Sequence, residues 1–251
     1  MISLECRIIP QLKFKGHWRS YQQRVLNELT SHLNDSKLNV VAAPGAGKTT
    51  LGIEVLSRLK NPAFILAPTI TIKNQWKQRI LDNFLPLDFN PDLISTDIKN
   101  LSEITISTYQ GLHSLYKNIE DRENFIKQLK SLNVNTLVLD EAHHLRTEWW
   151  ATLNSLYEEM NNKNFKIVSL TGTPPYDVSP NEWNNYSSLC GPVDAEISIP
   201  ELVKAGNLCP HQDLIYFSNL TDEEEQILWD FESNRNSFFK EINDSVKFVF
   251  L

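Results

Sequence analysis

The strongest constraint on the fold is a glycine-rich turn set between two segments with opposite conformational preferences. Residues 38–43, Leu-Asn-Val-Val-Ala-Ala, read as a short buried strand. Residues 49–59 read as a helix with apolar positions at Leu51, Val55, Leu56 and Leu59. Between them lies Pro44-Gly45-Ala46-Gly47-Lys48-Thr49, with Thr50 following. Such a turn aims the unpaired amides of the helix start at an anion. Gly45 and Gly47 permit positive backbone dihedrals and the close approach that a polyphosphate needs. Lys48 is placed to reach the β and γ phosphates, and the Thr49 hydroxyl to ligate magnesium. Residues 44–50 are therefore the candidate nucleotide-binding loop. The usual first glycine of such loops is Ala42 here, giving A-x-x-G-x-G-K-T.

A second segment completes the first. Leu137-Val138-Leu139-Asp140-Glu141-Ala142-His143-His144 is an apolar strand ending in two acids. Asp140 falls at the carboxyl end of that strand, where open α/β sheets place their ligand sites. It is the candidate magnesium acid, and Glu141 the candidate for polarising an attacking water. A pair of surface acids capping a helix would explain Asp-Glu, but not its arrival with a phosphate loop. The two segments together predict a magnesium-dependent nucleoside triphosphatase, with Lys48, Asp140 and Glu141 as its catalytic residues.

Composition sets outer limits. A chain of 251 residues can form one large α/β domain or two small ones. Its 41% hydrophobic and 22% charged content is ordinary for a soluble globular protein. No apolar run approaches membrane-spanning length, and Glu5 and Arg7 interrupt the N-terminus before a signal-peptide core forms. Cys6, Cys190 and Cys209 are odd in number and far apart, which argues against a disulfide framework and fits a reducing cytoplasm. The net charge of -7 offers no global basic field for nucleic acid. Any strand binding must come from a local groove or from residues outside this chain.

Strand-like segments recur at residues 39–43, 63–67, 104–107, 135–140, 166–171 and 214–217. Amphipathic helices fall between them, as at 21–33, 71–84, 122–132 and 149–160. This alternation implies a mostly parallel sheet covered on both faces. Residues 177–210 read as less regular, punctuated by Pro180, Pro192 and Pro200. Thr221-Asp222-Glu223-Glu224 reads as an N-capped helix start. Trp149 and Trp150 are adjacent and cannot share a helix face, so one is expected inside and the other partly exposed.

With these segments in hand, the chain resembles a superfamily 2 helicase or translocase, close to the DEAH-box and restriction- or repair-type branches. Further matches arrive in that family's order. Trp18-Arg19-Ser20-Tyr21-Gln22 resembles the adenine-recognition segment, R-x-Y-Q. Ala67-Pro68-Thr69 followed by Gln75-Trp76 resembles motif Ia, and Ser107-Thr108-Tyr109-Gln110 a later strand-contact motif. Leu170-Thr171-Gly172-Thr173-Pro174-Pro175 resembles motif III. The resemblance implies a RecA-like three-layer sandwich at residues 1–218, with residues 219–251 a connector or the start of a following region.

It also implies roles. The Gln22 amide can pair with N6 and N7 of adenine, and Arg19 or Tyr21 can stack on the base. Tyr21 is equally readable as the buried face of the first helix. Thr69 and Thr108 follow strands, where they can contact nucleic-acid phosphates or simply cap the next helix. Trp76 is read as core. Thr171 and Thr173 are expected to hydrogen-bond towards His143 and couple γ-phosphate loss to a neighbouring domain, while His144 is a surface residue. DNA is favoured over RNA as the partner, with no membrane. An ATP-switched scaffold, or a P-loop ATPase that moves no nucleic acid, are the rival readings. No Q-x-x-G-R-x-x-R segment follows Thr173, so the arginines of a second RecA-like domain are expected elsewhere in a longer parent or in a partner. The chain alone is expected to be a poor ATPase.

Overall fold

The computed structural model describes residues 7–145, 147–160, 162–210 and 219–248. The expected strand at 214–217 and Cys6 lie outside the described residues. The chain divides into two compact units, residues 1–209 and 210–251.

The first unit is an α/β sandwich. Its strands are β1 (Lys37–Ala42), β2 (Ala63–Ala67), β3 (Ile94–Ser95), β4 (Ile104–Thr108), β5 (Thr136–Asp140), β6 (Lys166–Thr171) and β7 (Ala195–Ile197). They form one seven-stranded sheet in the order β3-β4-β2-β5-β6-β1-β7, and every pairing is parallel. The helices are α1 (Ser20–Glu28), α2 (Lys48–Leu59), α3 (Ile70–Phe84), α4 (Tyr109–Tyr116), α5 (Ile119–Ser131), α6 (Thr147–Met160), α7 (Pro180–Cys190) and α8 (Ile199–Lys204).

Alternation along the strands builds the layers. Ala63, Ile65 and Ala67 of β2 join Val25 and Leu26 of α1, Leu51 and Val55 of α2, and Trp76 and Ile80 of α3 in one core. Phe64 and Leu66 of the same strand join Leu112 of α4, Phe125 of α5, Leu153 of α6 and Leu189 of α7 in the other. A strand buried on both faces needs no polar side, which is why β2 reads Ala-Phe-Ile-Leu-Ala without a break.

Three expectations are corrected. Residues 177–210 are regular: they hold α7, β7 and α8. Pro180 and Pro200 start helices instead of breaking them, because proline at the first helical positions surrenders an amide that has no partner anyway. Ser179 caps α7 in a reciprocal box with Glu182, and Ser198 caps α8. Trp149 and Trp150 are both buried. α6 packs between neighbours, so Trp149 stacks on Tyr109 of α4 at 5.4 Å while Trp150 meets Tyr186 of α7 edge-on at 6.4 Å. The helix expected at 21–33 is shorter: α1 ends at Glu28 and a 3-10 turn, Leu29–Ser31, follows.

The second unit is described through α9 (Asp222–Phe248). Thr221 starts it in a reciprocal box: its hydroxyl accepts from the Glu224 amide at 3.3 Å, and its own amide donates to Glu224 Oε2 at 2.8 Å. Among the described residues, no helix is long and apolar enough to cross a membrane.

Candidate nucleotide site

Strand order brings the site together. β6 lies between β1 and β5, with Val41 opposite Thr171 and Asp140 opposite Leu170. The three carboxyl ends therefore finish level: β1 runs into the glycine-rich loop, β5 into the acid pair and β6 into Thr171-Gly172-Thr173.

In the loop, Gly45 and Gly47 have φ of +85° and +88°. Both values lie in the region that side chains with a Cβ avoid. Gly47 answers a second demand, since a Cβ there would lie 2.6 Å from Gln22 Nε2. Ala42, where a glycine is usual, is the last residue of β1 and is buried in the core, so its methyl fills space that a glycine would leave open. Lys48 opens α2, and its Nζ stands 3.1 Å from Glu141 Oε1. Thr49 is half-buried and Thr50 buried; both line a cavity of about 540 Å3 with Gly45, Gly47 and Lys48.

The far walls of that cavity hold residues the motifs did not disclose: Phe14, His17, Arg79 and Asn83. Arg79 and Asn83 belong to α3. The segment carrying Phe14 is pinned to the end of that helix by Lys13 and Lys15 amides donating to the Phe84 and Asn83 carbonyls, each at 2.9 Å. Phe14 stacks on Trp18 with ring centroids 4.0 Å apart.

Arg19 and Gln22 also line the cavity. Gln22 Nε2 donates to the Ala46 carbonyl at 2.9 Å, and its Oε1 accepts from the Arg19 amide at 3.1 Å. Each end keeps one further valence, a second N–H and a second lone pair. Tyr21 is buried, and its hydroxyl accepts from Arg19 Nη1 at 2.8 Å. Of its two readings, the buried helix face is the one realised.

Asp140 is buried, and burial pushes its carboxyl up to about 6; the Trp76 hydrogen bond works in the opposite direction, and Glu141 adds to the rise. Trp76, itself in the core as expected, donates Nε1–H to Asp140 Oδ2 at 2.7 Å. Glu141 adopts φ 51° and ψ 49°, a left-handed conformation that costs a non-glycine residue roughly 1 kcal/mol or more. The turn sets its carboxylate between Lys48 and His143, whose Nδ1 lies 3.5 Å from Oε2.

His143 Nδ1 is 2.6 Å from Thr171 Oγ1, and that hydroxyl donates to the Thr173 carbonyl at 3.0 Å. With the hydroxyl proton committed, His143 Nδ1 is the donor. Thr171 thus meets His143 directly, and Thr173 joins through its carbonyl by way of the Thr171 hydroxyl. Burial, followed by His144, lowers the His143 pKa. His144 is exposed, with its ring 3.9 Å from that of His143.

Thr69 and Thr108 sit at neighbouring strand ends, Ala67 of β2 being opposite Thr108 of β4. Both hydroxyls serve as helix caps here, Thr69 accepting from Ile72 N at 3.2 Å and Thr108 from Gly111 N at 3.0 Å.

Residues 15–176 match the family described as Type III restriction enzyme, res subunit. The chain is 29% identical over 248 residues to the DNA 3'-5' translocase XPB2 of Sulfurisphaera tokodaii, covering 96% of this chain and 51% of that protein. It is 32% identical over 146 residues to the general transcription and DNA repair factor IIH helicase/translocase subunit XPB of Enterocytozoon bieneusi, covering 53% of this chain and 24% of that one. The chain thus spans about half the length of the Sulfurisphaera tokodaii relative, and less of the other. Its fold is similar to that of the Pyrococcus furiosus Hef helicase domain, with a TM-score of 0.53, 16% identity and coverage of 74% and 40%. The Sulfolobus solfataricus SWI2/SNF2 ATPase core in complex with dsDNA gives 0.51, 19%, 79% and 40%. The chain belongs to the Type III restriction enzyme res-subunit family, and it is a motor domain of the superfamily 2 helicase and translocase type.

Proposed function

We propose that this domain binds magnesium-ATP in the cavity beside Lys48 and hydrolyses it to drive movement of its parent protein along double-stranded DNA. The observation that carries the reading is the convergence of Lys48, Asp140, Glu141 and Thr171 at three level strand ends. A buried carboxylate and a hydroxyl at a helix start are hard oxygen donors, the set that magnesium prefers. Asp140 and Thr49 would hold the ion, which when bound supplies neutralisation of phosphate charge. Lys48 and the loop amides, with Thr50 beside them, orient the phosphates. Glu141 orients and deprotonates the water. His143, Thr171 and Thr173 form a continuous hydrogen-bonded path from the acid turn to the end of β6, suited to reporting the state of the γ-phosphate.

Two parts of the proposal reach beyond this chain. A second RecA-like domain, in the parent or in a partner, closes the cleft and contributes arginines, so this domain alone turns over slowly. Thr69 and Thr108 contact DNA phosphates, either with their hydroxyls or with the helix starts they cap. DNA is favoured because the Sulfurisphaera tokodaii relative is named a DNA translocase. The test is phosphate release by the whole parent with and without duplex DNA. Stimulation supports the reading, and a turnover indifferent to nucleic acid overturns it.

Adenine selectivity is expected to depend on Gln22. Its free N–H and lone pair match N6 and N7 of adenine, a bidentate contact worth about 1–3 kcal/mol of discrimination. Gln22→Ala should lower the preference for ATP over GTP and CTP by that amount in competition titrations. A parent protein that binds all three equally would refute the role.

A further inference from the structure

Asp140 is gripped by two aromatic side chains from different helices. Trp76 of α3 donates its indole N–H to Oδ2 at 2.7 Å, and Tyr109 of α4 donates its hydroxyl to the Asp140 carbonyl at 2.8 Å. Both side chains are buried. The indole reaches the acid by packing under α2, where a Cβ on Gly52 would come within 2.8 Å of Trp76 Cη2. Tyr109 is held by its stack on Trp149.

The two helices begin at one place. α3 starts at its cap Thr69 and α4 at its cap Thr108, at the ends of the paired strands β2 and β4. Trp76 lies two turns into α3, and Tyr109 is the first residue of α4. A core aromatic needs some acceptor for its polar atom. That need does not explain why both donors end on the same acid, one on its side chain and one on its backbone. Nor does it explain why both arrive from the edge proposed to meet DNA.

We propose that Trp76 and Tyr109 are positioning residues that hold Asp140 for its cation and tie its setting to the Thr69–Thr108 edge. The inference rests on Asp140 being the metal acid. Partners that orient a metal-holding carboxylate typically change metal affinity or activity by about ten- to a hundredfold when removed. A helix displaced at its cap moves its aromatic, and with it the group that the aromatic holds.

The test uses this chain, ATP at saturation and Mn2+ as the metal probe, with free Mn2+ read by electron paramagnetic resonance. Trp76 is replaced by 3-benzothienylalanine, which keeps the bicyclic shape and lacks the N–H, and Tyr109→Phe removes only a hydroxyl. Each variant is expected to keep a parental melting temperature and parental affinity for metal-free ATP, while its Mn2+ dissociation constant rises about tenfold or more. A duplex oligonucleotide should tighten Mn2+ binding by the unsubstituted chain and leave the variants unmoved. Parental Mn2+ affinity in both variants overturns the positioning role. An unsubstituted chain indifferent to the duplex, or variants that respond as it does, overturns the tie to the edge. If the unsubstituted chain takes up no more Mn2+ than Lys48→Ala does, the site assignment itself falls and the inference falls with it.

Discussion

Lys48→Ala is expected to abolish useful ATP binding while leaving the fold intact. Lys48 is the cationic side chain at the head of α2, beside the two loop glycines with positive φ. Removing one member of a desolvated, hydrogen-bonded charge pair costs about 2–5 kcal/mol. On the affinity scale that is roughly 30-fold at the low end and a few thousandfold at the high end. The fold should tolerate the change, because alanine is the best helix former and Lys48 belongs to no core cluster. Glu141 loses its partner 3.1 Å away, but it is not fully buried and water can solvate it. Titration with a fluorescent nucleotide in the presence of magnesium, alongside thermal melts of both proteins, is the measurement. Equal affinity with equal melting temperature would remove the phosphate-loop assignment.

What could be read in the sequence divides along a physical line. β1, β2, β4, β5 and β6 are runs buried on both faces, and such strands declare themselves by composition. β3 and β7, of two and three residues, are strands only because β4 and β1 lie beside them. α7 and α8 carried their signals in plain sight, Ser179 three residues before Glu182 and a serine cap before Pro200. A proline signals a break by composition and an initiation by position, and Pro180 and Pro200 stand where they initiate.

The site follows the same division. The loop and the acid pair are local in sequence and legible there, as are the threonines that cap α3 and α4. The cavity wall formed by Phe14, His17, Arg79 and Asn83 depends on backbone pairing between distant segments, which no motif encodes. The bonds from Trp76 and Tyr109 to Asp140 likewise exist only once α3 and α4 have docked on the sheet. Trp76 is read as core from the sequence, and burial alone cannot say which acceptor its N–H finds. Glu141 offers the opposite case. Its identity was legible from the acid pair, while its left-handed backbone was not, because nothing in Asp-Glu-Ala-His requires a positive φ.

That backbone bears on the second large effect, expected for Glu141→Gln in the parent protein. Glutamine keeps the length and shape of the side chain and is held at the same φ of 51°, so strain and packing change little. What disappears is the negative charge that accepts a proton from water, and general-base catalysis of this kind contributes about 10²- to 10⁴-fold. The turnover number should fall by that factor. ATP affinity should hold or improve slightly, because Lys48 Nζ no longer has a carboxylate 3.1 Å away competing with the phosphates. The His143 bond to Thr171 is also preserved, since it runs through Nδ1 and the threonine hydroxyl without using the Glu141 carboxylate. Single-turnover hydrolysis separates the chemical step from product release, and equilibrium nucleotide binding measured on the same preparation supplies the other half. A slow chemical step with parental affinity is the expected pair of results. Parental single-turnover rates would move the base elsewhere, and Asp140→Asn would be the next variant to measure, this time with both metal affinity and rate expected to fall.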